Sequence, residues 1–475
     1  PACFFLLFYF TISDPDDKII LFALLKNKEN HTKGLVFISM KKGKPSALLP
    51  IAVFLVFYLG LGIYSEYILK IPMGFYNIPI VVAFLAAILV ACLQNRSVPF
   101  EEKLALMGQG IGDKNIITML LIFLAAGTFV GVVGRSSAES VAYFMLSWIP
   151  AKYAVAVLFV VACFVSTAMG TSVGTITLLV PIASAVAETS GFSLALCVAS
   201  VMGGSMFGDN LSFISACNGQ GCEMKDKFRE NFWIALPAAL AALALILVIS
   251  FRQAPGTPIV HEYHLLQTVP YLLVLIGGIA GIQVFVVLLI GIASGAVIML
   301  GTGQTTLWDM LSSMGSGTSG MFETCMVAIL VAAMCALIRE NGGFTVLLRA
   351  IHKIFRGKKG GQLGVGILVA LLDIATANNT VAIVMANPIA KQMSEDYGIT
   401  PRKTASLLDT FSCISQGILP YGAQMLVAIS AVHELGYELS AFEIMANLFY
   451  PGMLLVSSLI FIFVLPDRKN AESNA

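Results

Sequence analysis

The clearest candidate for a chemical role is the carboxylate of Asp209, which lies in a long apolar stretch between Gly208 and Asn210. A carboxylate at membrane depth is costly and is by default a candidate for function. When ionised it can coordinate a hard cation such as Na+, and when the ion leaves it can take a proton. Asp209 is therefore the candidate sodium ligand of a cation-for-proton exchange. The alternative is a solvated carboxylate near a helix end, because Lys225 and Lys227 follow in the next loop.

Hydroxyl and amide side chains form two short polar elements inside apolar segments, residues 167–171 (TAMGT) and 376–380 (TANNT). A backbone break in hydrocarbon is tolerated only where protein or a water-filled cavity receives the freed polar groups, and such groups can bind ions. Neutral oxygens of this kind suit a weakly held sodium ion; the alternative is that they only cap the tips of hairpins. The candidate residues for binding the cation or substrate are Thr167, Thr171, Ser172, Ser205, Asp209, Asn210, Asp373, Thr376, Asn378, Asn379, Thr380 and Asp409.

Two further carboxylates of this set leave two interpretations open. Asp373 lies three residues before Thr376, and Asp409 lies early in a second helix that carries breaking residues. Each can be a second proton or ion site, since an ionisable group at membrane depth is a functional candidate. Each can equally be a structural partner of Arg402 or Lys403.

Residues for enzymatic chemistry are not evident. The stretches 261–264 (HEYH) and 433–436 (HELG) resemble metal motifs, but neither has the H-E-x-x-H spacing that places two histidines on one helix face. The chain has no G-x-x-x-x-G-K-[ST] element for ATP. We therefore expect no enzyme and no cofactor, with Na+ and H+ as transported ions.

Composition indicates a polytopic helical membrane protein. Of the 475 residues, 58% are hydrophobic and only 12% are charged, and the mean hydropathy is +0.88. A soluble domain carries about a quarter charged residues. The formal net charge of +1 gives no reason to expect a nucleic-acid partner. The expected partners are membrane lipid and small ions, with a homodimer left open.

The sequence is duplicated. Residues 107–110 (MGQG) match 314–317 (MGSG), and 180–183 (VPIA) match 387–390 (NPIA), each pair at an offset of 207 residues. Polar, helix-breaking residues at matching places in two apolar copies are typical of secondary transporters. The helix after each polar element also carries breaking residues, Gly203 and Gly204 in the first copy and 417–422 (GILPYG) in the second, which predicts unwinding in both.

The distribution of Lys and Arg predicts the topology, because cytoplasmic loops carry an excess of them. If 152–190 and 362–393 are re-entrant hairpins, one side of the membrane receives twenty Lys and Arg and the other four. The fold class predicted is all-α and polytopic, with two inverted-topology repeats of five transmembrane helices and one re-entrant hairpin each. The predicted spans are 47–66, 77–93, 115–133, 193–217, 231–251, 268–282, 283–300, 322–338, 404–432 and 446–465.

The predicted organisation has five parts. Residues 1–39 precede the first methionine and show none of the repeat, so we interpret them as a non-native or disordered extension. The first repeat is 40–251, an extracytoplasmic linker is 252–267, the second repeat is 268–466, and a cytoplasmic tail is 467–475. The regions 94–114 and 301–321 are interpreted as loops, and 134–150 and 340–357 as short surface or half-membrane helices.

Several of these residues resemble a known family. Residues 170–172 (GTS) with 208–212 (GDNLS) resemble the G-T-S…F-G-D-x-x-S pattern of NhaC-type sodium/proton antiporters, as do 377–380 with 409–411 and 417–422. The likeness covers about residues 45–465. It implies membership of the ion transporter superfamily, whose members pair inverted repeats with two hairpins and move in an elevator-like shift. Asn210 stands where many members have a lysine.

Taken together, the sequence predicts a secondary active transporter that exchanges Na+ for H+ by alternating access in a bacterial inner membrane. The N- and C-termini of the fold are expected in the cytoplasm. The alternative is a Na+- or H+-coupled carrier of a small organic solute, such as a dicarboxylate, lactate or an amino acid. The residue difference at Asn210 and the uncharged polar tips suit such a ligand. A channel is a third interpretation.

Overall fold

The computed structural model describes residues 5–13, 18–26, 33–41, 44–69, 79–169, 171–211, 220–222, 224–253, 264–280 and 282–464. Near the N-terminus, β1 (Phe5–Ser13), β2 (Lys18–Lys26) and β3 (Lys33–Lys41) pair antiparallel in the order β1-β2-β3. The interpretation of residues 1–39 as an extension outside the fold stays a prediction. From residue 44 onward the described chain is all-helical, as composition indicates.

Twenty helices follow along the described chain. The first is preceded by a 3-10 turn, Pro45–Leu48, and the second is flanked by π-helical turns, Val56–Gly60 and Tyr64–Ile68. The helices are α1 Leu49–Leu55, α2 Leu61–Ile63, α3 Ile80–Leu93, α4 Phe100–Ile111, α5 Lys114–Trp148, α6 Ala151–Met169, α7 Ser172–Ser190, α8 Leu194–Leu211, α9 Met224–Arg252, α10 Leu265–Ile279, α11 Val284–Gly301, α12 Leu307–Gly320, α13 Phe322–Glu340, α14 Gly343–Ile354, α15 Gly357–Thr376, α16 Asn379–Tyr397, α17 Pro401–Ile418, α18 Ala423–Glu434, α19 Ala441–Asn447 and α20 Phe449–Phe463.

The chain is a multi-pass membrane protein. Within the described residues, seven helices are long and apolar enough to cross a bilayer, and the number rises to nine if each of two bent pairs is one span. The predicted re-entrant course of the hairpins and the inverted topology of the repeats are not decided by helix length, and they stay predictions.

The chain divides into two compact units. One comprises residues 1–112 and 330–354, and the other comprises 113–329 and 355–475. In the first unit, Phe54 of α1 stacks on Phe84 of α3 with ring centroids 3.9 Å apart. In the second unit, α7 and α8 are the most enclosed of the spanning helices, because 89% and 83% of the residues in their apolar stretches are buried. These two helices therefore form the centre of the unit that holds the candidate residues.

A glycine divides α5 where the sequence predicted the span 115–133 to end. Gly134 has φ 62°, a conformation that suits a residue without a Cβ. The apolar part before it, Ile116–Gly134, is long enough to cross the membrane, and the part after it, Ser137–Trp148, bends by 117° into α6. The interpretation of this second part as a short helix distinct from the span fits this bend.

The predicted unwinding is present in the second copy and absent from the described part of the first. Helix α17 ends at Ile418 and α18 starts at Ala423, so residues 419–422 interrupt the second helix. Helix α8 instead runs unbroken through Gly203 and Gly204 to Leu211. The prediction was wrong there because the glycines serve packing. A Cβ on Gly204 would lie 2.3 Å from the carbonyl oxygen of Phe159 in α6.

Two regions interpreted as loops form helices. Helix α4 occupies most of 94–114, and α12 occupies most of 301–321. Each mixes apolar residues with glycines and charged or hydroxyl groups, so its hydropathy alone did not indicate a helix. In the first unit, Gly110 of α4 lies against Ala332 of α13, where a Cβ would meet the Ala332 carbonyl oxygen at 2.7 Å. In the second unit, Gly317 of α12 lies against Gly127 of α5, with a Cβ-to-oxygen distance of 2.2 Å.

Candidate functional site

Asp209 receives two side-chain hydrogen bonds on one oxygen. Ser172 Oγ donates to Asp209 Oδ2 over 2.8 Å, and Asn379 Nδ2 donates to the same atom over 3.0 Å. Asp209 lies in the last turn of α8 and is half-buried. The backbone N–H of Ser172 also donates to the Asp209 carboxylate, so the start of α7 contacts it through both main chain and side chain.

The two donors are the first residues of two helices. Ser172 begins α7 and Asn379 begins α16, so each helix presents its N-terminus to the carboxylate. The N-terminus carries the positive end of the helix dipole, which stabilises a nearby negative charge. Ser172 and Asn379 are separated by 379 − 172 = 207 residues, the offset of the sequence duplication.

Gln424 holds Ser172 in place. Its Nε2 donates to Ser172 Oγ over 2.6 Å, so the serine hydroxyl proton is directed to Asp209. Gln424 is fully buried and lies in the first turn of α18, directly after the interruption at 419–422. Sequence reasoning missed this residue, although a glutamine one turn after a Gly/Pro break in an apolar helix was the available signal.

The turn before α16 is fixed by its own side chains. Asn378 caps the helix, with its side-chain oxygen accepting from the Val381 N–H at 3.1 Å. Ala377 before it has φ 47°, a left-handed conformation uncommon for residues other than glycine. The Thr376 hydroxyl donates to the Asn378 carbonyl over 3.1 Å. These contacts position Asn379 to face Asp209. Thr380 follows in α16, and its side chain lies outside what the structure describes.

Two of the other hydroxyl candidates donate to backbone carbonyls instead of to Asp209. Thr167 Oγ1 donates to the Cys163 carbonyl over 2.7 Å, and Ser205 Oγ donates to the Val201 carbonyl over 2.8 Å, each one turn earlier in its own helix. Thr171 is the extended residue that precedes α7, and its carbonyl accepts from Thr175. Among the described side chains, the structure brings Ser172, Asn379 and Asp209 into direct contact.

Asn210 faces a second polar cluster. Asn231 Nδ2 of α9 donates to the Asn210 carbonyl over 2.6 Å, and Thr410 Oγ1 of α17 donates to Asn210 Oδ1 over 3.3 Å. Ser406 and Thr410 also donate to Asn231 Oδ1. This cluster joins α8, α9 and α17 next to the carboxylate, so its role is to fix the end of α8.

The remaining two carboxylates have different surroundings. Asp373 is fully buried in α15, and its Oδ2 accepts from Ser412 Oγ over 2.9 Å. Asp409 forms a buried ion pair with Lys227 of α9. Lys227 was interpreted as a loop residue, but α9 begins at Met224 and brings it into the protein.

The two basic residues considered as partners of Asp409 contact other groups. Arg402 Nε lies 3.9 Å from a Glu230 oxygen, and Lys403 Nζ lies 4.7 Å from the centre of the Phe461 ring. The structural pairing of Asp409 is therefore with Lys227.

A family comparison covers almost the whole chain. The model of the Na+/H+ antiporter family matches residues 2–218 and 225–461. The chain belongs to the Na+/H+ antiporter family. The NhaC-type resemblance of the sequence motifs is thereby confirmed, and so is the description as an ion-transport protein with transmembrane helices. This antiporter family is a family of membrane transporters and is not an enzyme class.

The chain was also compared with solved structures and with curated proteins. Among solved structures, the YdaH transporter of Alcanivorax borkumensis, described as having an unusual topology, is similar at 15% identity and a TM-score of 0.38. The likeness covers 73% of this antiporter-family chain and 85% of that chain. No curated protein matches the chain.

Proposed function

We propose that this member of the Na+/H+ antiporter family exchanges Na+ for H+ at Asp209 by alternating access. The observation that carries the proposal is the pair of hydrogen bonds to Asp209 Oδ2 from Ser172 and Asn379. They hold the carboxylate in one orientation at the meeting point of α7, α8 and α16. Hydroxyl and amide oxygens beside it suit a weakly held hard cation.

Coupling follows from competition for one carboxylate. When Asp209 is ionised, it binds Na+; when it is protonated, the carboxyl is neutral and loses its attraction for the cation. The two ions cannot occupy the site together. Binding of either ion therefore lowers the fraction of the protein that can bind the other. An inward proton gradient would then drive sodium out.

The proposal includes the two inverted repeats and their re-entrant hairpins, α6 with α7 and α15 with α16. Matched contacts support a structural repeat. Ser166 of α6 donates to the Ser205 carbonyl of α8 over 2.5 Å, and Ser412 of α17 donates to Asp373 of α15 over 2.9 Å. The 207-residue offset relates the two contacts, because it maps Ser166 to Asp373 and Ser205 to Ser412. We further propose a bacterial inner membrane, cytoplasmic ends of the fold and, as an assembly to be tested, a homodimer.

Everted membrane vesicles test the exchange. Adding Na+ to vesicles with a respiration-driven ΔpH should dissipate it, and Asp209→Asn should abolish this response. Glu395→Gln is the matched control, because it removes an exposed carboxylate outside the site and should leave exchange intact. Wild-type exchange by the Asp209→Asn protein would exclude the proposed role of this residue.

One feature of the site supports a second candidate function, Na+- or H+-coupled transport of a small organic solute. The N-termini of α7 and α16 converge beside a buried glutamine, and helix N-termini are ready-made binding sites for a carboxylate. Uptake of radiolabelled dicarboxylates, lactate and amino acids into proteoliposomes, with and without Na+, tests it. Sodium-dependent accumulation of one of these solutes would favour the carrier over the exchanger.

A further inference from the structure

Two buried oxygens on neighbouring helices have no hydrogen-bond donor. They are Asp373 Oδ1 on α15 and Gln416 Oε1 on α17, and neither has a partner among the described residues. Asp373 is 0% exposed and Gln416 is 2% exposed, so bulk water does not supply the missing donor. Buried acceptors in proteins nearly always have a partner, and an orphan indicates a missing water or ion.

The two residues belong to neighbouring helices that contact each other through Asp373. Ser412 Oγ donates to Asp373 Oδ2 over 2.9 Å, which joins α17 to α15. Gln416 follows Ser412 by four residues, and side chains four apart lie on one face of a helix. The amide oxygen of Gln416 therefore belongs to the helix face that receives the Asp373 carboxylate.

A third acceptor lies at the end of the same helix. Gln424 Oε1 is buried and without a donor among the described residues, and it lies 3.6 Å from the position of a Cβ on Gly417. Helix α15 ends at Thr376 and α17 ends at Ile418, so the region lies at two helix C-termini. The C-terminal end of a helix carries negative partial charge and favours a cation. Asp209, in contrast, lies at two N-termini.

We infer that Asp373 Oδ1 and Gln416 Oε1, with Gln424 Oε1 at the edge, form a second site for Na+, separate from Asp209. A hard cation takes oxygen ligands, and here it would provide the partner that both buried oxygens lack. This inference rests on the proposed function, since it adds a second bound cation to the same transport cycle.

The 207-residue offset supports a distinct second site. It maps Ser166 to Asp373, Ser205 to Ser412 and Asp209 to Gln416. At these matched positions each copy thus has one carboxylate, but on opposite members of the helix pair. The first copy has it on α8 and the second on α15. Asp409 is not part of either site, because Lys227 already neutralises its charge.

Counting bound Na+ tests the inference on the purified full-length protein. Equilibrium binding of radioactive Na+, with choline as the balancing cation, should give two ions for each wild-type chain and one for Asp373→Asn. Gln416→Leu removes the oxygen without changing the charge and should weaken one of the two sites at least about tenfold, since even changes outside the ligands of a metal site cost roughly 10–100-fold in affinity. Glu395→Gln should keep two ions.

The outcomes separate the two proposals. Asp209→Asn should retain the ion at Asp373. Two ions bound by Asp209→Asn would contradict the proposed function while leaving the second site in place. A single ion on the wild type that Asp373→Asn still binds, or two undiminished ions on either Asp373→Asn or Gln416→Leu, would overturn the second site. If Asp373→Asn does not purify as a monodisperse protein, Gln416→Leu decides the question.

Discussion

Ser172 and Asn379, 207 residues apart in the sequence, donate hydrogen bonds to the same oxygen of Asp209. Each is the first residue of its helix, and each belongs to a different copy of the duplicated pattern. A site made in this way depends on both copies at once. Movement of either helix N-terminus would change the contacts of the carboxylate, which provides a physical link between helix movement and cation binding.

Removing either donor should weaken sodium binding. In Ser172→Ala or Asn379→Ala, Asp209 Oδ2 loses one hydrogen bond that stabilises its charged form by roughly 1.5–3 kcal/mol, so the proton competes more strongly with Na+ for the carboxylate. The half-saturating Na+ concentration for exchange should rise about tenfold or more. Ser184→Ala is the control, because this buried serine on the same helix bonds only the Val180 carbonyl. An unchanged sodium dependence in both site variants would contradict the assigned contacts.

Gln424 should act through Ser172. Gln424→Leu removes the donor that orients the serine hydroxyl, so it should raise the half-saturating Na+ concentration in the wild-type background. In a Ser172→Ala background the same change should have a smaller effect, because the part that acts through the serine is already lost, while the part that acts through Gln424 Oε1 at the second site is kept. A double-mutant cycle of Na+-dependent ΔpH dissipation measures this. Full additivity would show that Gln424 acts independently of Ser172.

The Lys227–Asp409 pair should matter for folding. Lys227→Met or Asp409→Asn alone leaves a buried charge unpaired, which costs about 3–5 kcal/mol. The double variant removes both charges and should recover much of the loss. Melting temperature and the yield of monodisperse protein report the difference. A double variant less stable than both single variants would contradict a structural pair.

Close packing of α8 on α6 should be sensitive to a single methyl group. In Gly204→Ala the new Cβ would lie 2.3 Å from the Phe159 carbonyl oxygen, so the helices must separate. Overpacking of this kind costs about 1–3 kcal/mol. Gly452→Ala in α20 has no atom within 4 Å of its Cβ and should be neutral or slightly stabilising. Equal melting temperatures for the two variants would contradict the packing argument.

The sequence predicted much of the architecture because the bilayer restricts it. Apolar length and the 207-residue duplication indicated the helical spans and the two polar elements. The sequence did not distinguish a glycine that breaks a helix from a glycine that lets two helices approach each other closely. Gly203 and Gly204 were interpreted as a break, and they pack against α6. Only a three-dimensional neighbour distinguishes these cases.

The candidate site was predicted in its residue types and only partly in its contacts. Asp209, Ser172 and Asn379 were chosen because polar groups in apolar segments need a reason to be there. Gln424 and Gln416 were missed because a neutral amide in a helix gives little signal until its partners are known. Lys227 was missed as the partner of Asp409 because it lies near the start of α9, where the sequence resembles a loop.

Proton release on sodium binding tests the central claim most directly. When NaCl is added to purified protein in weakly buffered solution, Na+ at Asp209 should displace a proton, so the wild type should acidify the medium while choline chloride does not. Asp209→Asn should release fewer protons for each Na+ bound. Release by Asp209→Asn equal to that of the wild type, or binding of Na+ to the wild type without any release, would contradict competition between the two ions at this carboxylate.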